Sequence, residues 1–116
     1  MSAPGQSRQI QSLITQEGKL ELSIAAVDLP EPGPDEIIVR IEAAPINPSD
    51  LALLTGPADL STAQASGTAD SPVLTADISP KLMGMVAGRI GEPMAVGNEA
   101  GGVVVAAGSS AAAQGL

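Results

Sequence analysis

A chain of 116 residues without a single Phe, Tyr or Trp must build its core from aliphatic side chains alone. Hydrophobic residues make up 44% of it, but 19 of them are alanine, and alanine removes far less surface from water than an aromatic ring does. The apolar area per buried residue is therefore small, and marginal stability is expected. The length allows one domain at most, and that domain is expected to lean on a partner, a missing remainder of the chain being the first candidate.

The remaining composition excludes several classes of function. Thirteen acids against five bases give a net charge of -8, and the bases Arg8, Lys19, Arg40, Lys81 and Arg89 are scattered. Nucleic acid and anionic membrane are poor partners for such a surface. With neither cysteine nor histidine there is no disulfide, no thiol nucleophile, and no metal ligand other than carboxylates. No apolar run is long enough for a bilayer, and Met1 to Gly5 lack the charged and apolar regions of a signal peptide. The expectation is a soluble, cytoplasmic protein.

Taken in order, residues 1–7 are small and polar and read as a flexible end. Ile10, Leu13 and Ile14 lead to Gln16-Glu17-Gly18-Lys19, and Leu20 to Ile24 alternate apolar with polar, which predicts a hairpin turning at Gly18. Leu29 to Asp35 hold three prolines and Gly33 and predict a stiff connector. Glu36 to Ala43 put Ile37, Val39 and Ile41 on one face of a strand, with Ile38 breaking the alternation. Thr55 to Asp77 read as a long acidic loop, with Asp59, Asp70 and Asp77 uncompensated by bases. Lys81 to Arg89 fit a short strand or a helical turn, Met83 and Met85 serving as gap-filling packing. Gly101 to Gly108 form a glycine-framed strand. Its glycines suit close backbone approach or a bulge, since no phosphate-loop pattern is present. Ser109 to Leu116 are expected to lack a closing element, as in a chain cut short.

Between the Glu36–Ala43 strand and whatever follows stands Pro45-Ile46-Asn47-Pro48-Ser49-Asp50-Leu51. Pro45 and Pro48 pin their own φ, and Pro48 pushes Asn47 towards an extended conformation. Ser49 and Asp50 offer the oxygen that caps a helix whose first apolar turn is Leu51, Leu53 and Leu54. The unit is a strand, a rigid polar corner and a short helix.

Ala43-Ala44-Pro45-Ile46-Asn47-Pro48-Ser49-Asp50-Leu51, followed by Val96-Gly97-Asn98-Glu99-Ala100-Gly101-Gly102-Val103-Val104, resembles the medium-chain dehydrogenase/reductase family, in its zinc-free branch of quinone oxidoreductases and enoyl reductases. The resemblance covers Arg8 to the end. It implies a mainly β chain with short helices: a GroES-like partial β-barrel over 8–116, the N-terminal domain of an alcohol dehydrogenase-like α/β enzyme. On this resemblance the nucleotide-binding Rossmann domain is expected to be absent from these residues, and the crossing from one motif to the other is longer than in the family, which implies a loop insertion within 56–90.

In the zinc-dependent relatives the positions of Asn47 and Asn98 carry metal ligands. Asparagine amides bind zinc weakly, so the resemblance implies no metal, with Asp50 serving as a cap and Glu99 as a hydrogen-bond acceptor. It implies NADPH as cofactor, with Asn47, Pro48 and Ser49 bordering the nicotinamide and Ser49 placed near the substrate as the catalytic hydroxyl. The implied reaction reduces a quinone or activated double bond in a small-molecule substrate, the parent enzyme being a homodimer. Without the missing domain the chain itself is expected to be inactive. Enoyl-thioester reductases share the wording but place a proton-donating tyrosine shortly after the position of Gly56, and this chain has none. A non-catalytic GroES-like binding module is the alternative from another class.

Overall fold

The computed structural model describes residues 5–116. Seven strands and two short α-helices follow in the order β1 (Gln6–Ile14), β2 (Lys19–Asp28), β3 (Ile37–Ala43), α1 (Pro48–Thr55), β4 (Asp59–Gly67), β5 (Pro72–Asp77), β6 (Met94–Ala95), β7 (Gly101–Ala107) and α2 (Ala111–Gln114). A 3₁₀ segment spans Pro80–Arg89. The chain is mainly β with short helices, arranged in two open sheets: a five-stranded one in the order β4-β5-β2-β1-β6, and the pair β3-β7.

Two compact units divide it. The larger comprises Arg8–Ala25 and Ile46–Gly97. Here β1 turns into β2 through Gln16-Glu17-Gly18, as the sequence predicts. Gly18 N–H donates to Thr15 O at 3.1 Å, and Gly18 takes a left-handed φ of 83° that a side chain resists. β2 pairs antiparallel with β5 from Lys19↔Asp77 to Ser23↔Val73. The core is small: Ile14 and Leu20 at 0% exposure and Ile78 at 4%, with Leu22, Leu82, Met83, Val86 and Ile90 packed against them. Ile78 N–H donates to Gly18 O at 2.8 Å and Gly91 N–H to Ile14 O at 2.9 Å, so backbone bonds clamp both sides of this cluster.

The span read as an acidic loop is mostly ordered structure. It holds the β4–β5 hairpin, which turns at Gly67, where φ is 79° and an added Cβ would stand 2.2 Å from Ser71 O. Composition hid β4 because it is written largely in Ser, Thr and Ala, weak signals that its pairing with β5 overrides. Between Asp59 and Gln64 the register slips. Thr62 Oγ1 fills the gap, accepting from Asp77 N–H at 2.7 Å and donating to Asp59 O at 2.6 Å. Lys81 to Arg89 are helical rather than extended, with a kink at Val86 (φ -121°, ψ 20°). Met83 packs on the core as expected, whereas Met85 is 76% exposed.

The smaller unit comprises Ala26–Pro45 and Asn98–Leu116 with the N-terminal residues up to Ser7. β1 starts at Gln6, inside the segment expected to be flexible, and Leu29 N–H donates to Gly5 O at 2.9 Å. Residues 1–4 lie outside the described residues. β3 and β7 pair antiparallel with two register shifts, one between Ile38 and Val39 and one between Ile41 and Ala43. Val105 is the unmatched residue of the first and Glu42 of the second, so the two bulges cancel and the register at Ala43↔Gly101 is that of Ile37↔Ala107. The glycines framing β7 serve close approach, as their spacing suggests: a Cβ on Gly102 would lie 2.0 Å from Arg40 O, and one on Gly108 1.9 Å from Gly33 O. Contrary to the expected unclosed end, α2 follows β7. Ser110 caps it, accepting from Ala113 N–H at 3.0 Å, Ala113 is buried, and Ser110 N–H donates to Pro34 O at 2.9 Å.

Gly108→Ala is expected to lower stability by about 2–4 kcal/mol, because a backbone carbonyl must move to admit the methyl group. Gly84→Ala, where an added Cβ meets nothing within 4 Å, should stay within about 0.5 kcal/mol. Urea midpoints at unchanged slope measure both.

Candidate functional site

The Asn47 corner folds as an N-cap. Asn47 is extended (φ -93°, ψ 153°), Pro48 stands at the first helical position, where its missing N–H costs nothing, and the helix runs on to Thr55. Helix α1 therefore starts two residues before Asp50, with Asn47 in the capping place that the sequence pattern assigns to Ser49 and Asp50. The pattern misses this because Asn-Pro is a stronger start than Ser-Asp: it combines a capping side chain with a pre-set φ. Asp50 retains a capping task, but from inside the first turn. Its Oδ2 accepts from the backbone N–H of Asn47 at 2.9 Å, reaching back as the third residue of a capping box does.

This arrangement leaves Asn47 half-buried and Pro48 and Ser49 exposed at the positive end of the helix, with a carboxylate already satisfied behind them. The three residues expected to border a nicotinamide thus share one short surface. Asn98 and Glu99 belong to the smaller unit, exposed in the irregular stretch before β7.

Polar contacts hold the other end of α1. The helix buries no residue of its own, and Leu51 and Leu53 are 50% and 47% exposed. Ser12, fully buried in β1, donates from Oγ to Leu54 O at 2.8 Å and accepts from Arg89 Nη2 at 3.0 Å. The guanidinium thereby supplies positive charge near the negative end of α1, which has no basic residue in its own last turn. The Nε of Arg89 is buried without a hydrogen-bond partner. No sequence pattern joins Ser12, Leu54 and Arg89, because they come from three separate segments.

A second polar surface was not foreseen from the sequence. Asp59, Asp77 and Lys19 stand directly across from one another on β4, β5 and β2, at the edge of a groove that Thr62 and Ser79 also line. Two carboxylates facing each other repel, and the Lys19 ammonium, ion-paired to Asp77, relieves that repulsion. Both partners are half exposed, so the pair contributes no more than about 1 kcal/mol. The Asp59 carboxylate accepts from Ser61 Oγ at 2.6 Å and Ser61 N–H at 3.0 Å, and these bonds hold its pKa below the ordinary carboxylate value.

Ser12→Ala should orphan Leu54 O and the Arg89 guanidinium together and cost about 1–3 kcal/mol. Loss of amide protection across Leu51–Thr55, ahead of the rest of the larger unit, is the accompanying signature. For Asp59 the sign follows from its lowered pKa: what its hydrogen bonds contribute is complete above the ordinary aspartate value and disappears as pH falls through the lower folded value. Ser61→Ala should raise the Asp59 pKa, as read by carboxyl ¹³C shifts between pH 2 and 6, and an unmoved titration would refute the assignment. Comparison of the sequence with protein-family models and with curated proteins finds no match.

Proposed function

We propose that this chain is the N-terminal, substrate-side part of a zinc-independent, NADPH-dependent oxidoreductase that reduces a quinone or an activated double bond, with a GroES-like partial barrel as its fold. The observation that carries the reading is the built corner at Asn47-Pro48-Ser49. Proline and the Asp50 carboxylate fix its backbone, with Asn47 at the cap position of a helix N-terminus and the Ser49 hydroxyl exposed beside it. When bound, NADPH supplies the hydride. What the residues of this chain supply is orientation and polarity. The Asn47 side-chain NH2 offers a donor to the oxygen of a flat carboxamide, Ser49 offers a hydroxyl to a substrate oxygen, and the positive end of α1 favours negative charge growing on that oxygen.

The corner alone makes one wall of a site. No GxGxxG or GK[ST] phosphate loop occurs anywhere in the sequence, so the groups that would grip the rest of a dinucleotide are to come from another domain. The exposed apolar side chains support the same view. Ile46 (80%), Leu51, Leu53, Leu60 and Ile41 stand in water in a chain that has few apolar residues to spare. On this reading the chain alone does not turn over. Its substrate is a small electron-poor molecule rather than a polymer, and its cellular setting is the cytoplasm.

The direct test is titration of the ¹⁵N-labelled chain with NADPH up to about 10 mM, the range in which a single wall of a site binds. Shifts should gather on Asn47, its side-chain amide, Ser49 and Asp50, and should vanish in the Asn47→Ala, Ser49→Ala double variant. Shifts elsewhere only, or none, would sink the reading.

A further inference from the structure

We propose that Met83 is a redox switch for helix α1: a peroxide that oxidises its thioether undocks the 3₁₀ segment from the core and withdraws Arg89 from the end of the helix. The Pro80–Arg89 segment has two tasks in the larger unit. Met83 and Val86 pack on Ile14, Leu20 and Ile78, while Arg89 reaches Ser12, whose hydroxyl holds Leu54 O. An added Cβ on Gly56, which ends α1, would stand 3.5 Å from Arg89 Nη1, so the guanidinium lies against that end.

Met83 is the point at which this arrangement is open to chemistry. Its side chain packs on the core but is only half-buried, so a small oxidant reaches it without unfolding the chain. A peroxide gives it one oxygen: the O–O bond breaks, an S–O bond forms, sulfur is oxidised, and the reduced second oxygen leaves as water. The product is polar, and a buried centre of three aliphatic side chains has no apolar area to spare for it. Between Met83 and Arg89, Val86 packs on the same cluster, so a loss of fit there loosens the run as far as Arg89. Arg89 itself favours release. Its Nε is buried without a hydrogen-bond partner, and a guanidinium that swings into water gains the bond it lacks. Met85, two residues on and exposed, takes the same oxygen without touching the core cluster. Met94 is half-buried and stands across from Ser12 on β6, so its oxidation is to be kept apart from that of Met83. The inference concerns the anchorage of α1 and stands whether or not the Asn47 corner binds NADPH.

Amide hydrogen exchange of the whole 116-residue chain carrying Met85→Leu and Met94→Leu, before and after hydrogen peroxide, tests it, with peptide masses showing where oxygen was added. Oxidation of Met83 should speed exchange across residues 51–55 at least about tenfold, while the β4–β5 pairing from Ala65↔Leu74 to Gly67↔Pro72 keeps its protection. Methionine sulfoxide reductase should restore slow exchange. Met83→Leu, which fills the site but takes no oxygen, should keep α1 protected in peroxide. Arg89→Gln should speed exchange of α1 by itself and leave Met83 oxidation no more than about a twofold effect to add. A Met83 that stays unoxidised in the folded chain overturns the proposal, as does oxidation that leaves residues 51–55 unchanged. A loss of protection shared equally by the β4–β5 hairpin, or an undiminished effect in the Arg89→Gln background, overturns it too.

Discussion

The larger unit depends on one small apolar contact, that of Ile14, Leu20 and Ile78, closed around the turn at Gly18. With no aromatic ring to fill space, three aliphatic side chains form the buried centre, each worth about 1.5–3 kcal/mol on transfer from water. Such a centre positions its surroundings only if the backbone is pinned near it. The carbonyls of Gly18 and Ile14 do this, taking the N–H groups of Ile78 and Gly91. The 3₁₀ segment, β5 and the β1–β2 hairpin are all tied to the core within a residue or two of its members. The same shortage of apolar volume explains why polar side chains elsewhere take structural tasks: Ser12 under α1, Thr62 in the β4 bulge, Glu36 closing the Gly33 turn with an Oε1 that accepts from Gly33 N–H at 2.7 Å.

The smaller unit solves the problem by backbone fit. A two-stranded ribbon is marginal alone, and this one keeps Ile41, Val103 and Val105 in water. Its order comes from close approach. Gly102 lies against Arg40 and Gly108 against Gly33 and Pro34, nearer than any Cβ allows, and two opposed bulges let the strands twist without losing register.

The proposed chemistry rests on a similar economy. Asn47, Pro48 and Ser49 owe their presentation to local rules, with Asp50 holding the cap, while α1 as a whole owes its placement to a hydroxyl and a guanidinium from distant segments. A helix with no buried residue, anchored through the Leu54 carbonyl near its C-terminal end, leaves Pro48 and Ser49 exposed at its start.

Local physical chemistry made some of this legible before any coordinates. Gly18 as a hairpin turn, the prolines of the 29–35 connector, the strand reaching Ala43 and the framing role of Gly102 and Gly108 all follow from what single residues permit the backbone to do. The capping role of Asp50 was visible, though not that Asn-Pro would start the helix earlier. What the residues in order did not disclose depends on contacts between segments far apart. A strand written largely in Ser, Thr and Ala, β4, becomes a strand only when β5 offers it a partner, and four residues at the C-terminal end become a helix once Ser110 caps them and Ala113 is buried. The row Asp59, Asp77 and Lys19 exists only because register aligns three strands. Turns, caps and φ restrictions are energies of a few adjacent residues, so the sequence by itself determined them. Pairing, burial and charge alignment are energies of distant residues brought together, and only the tertiary structure decided those.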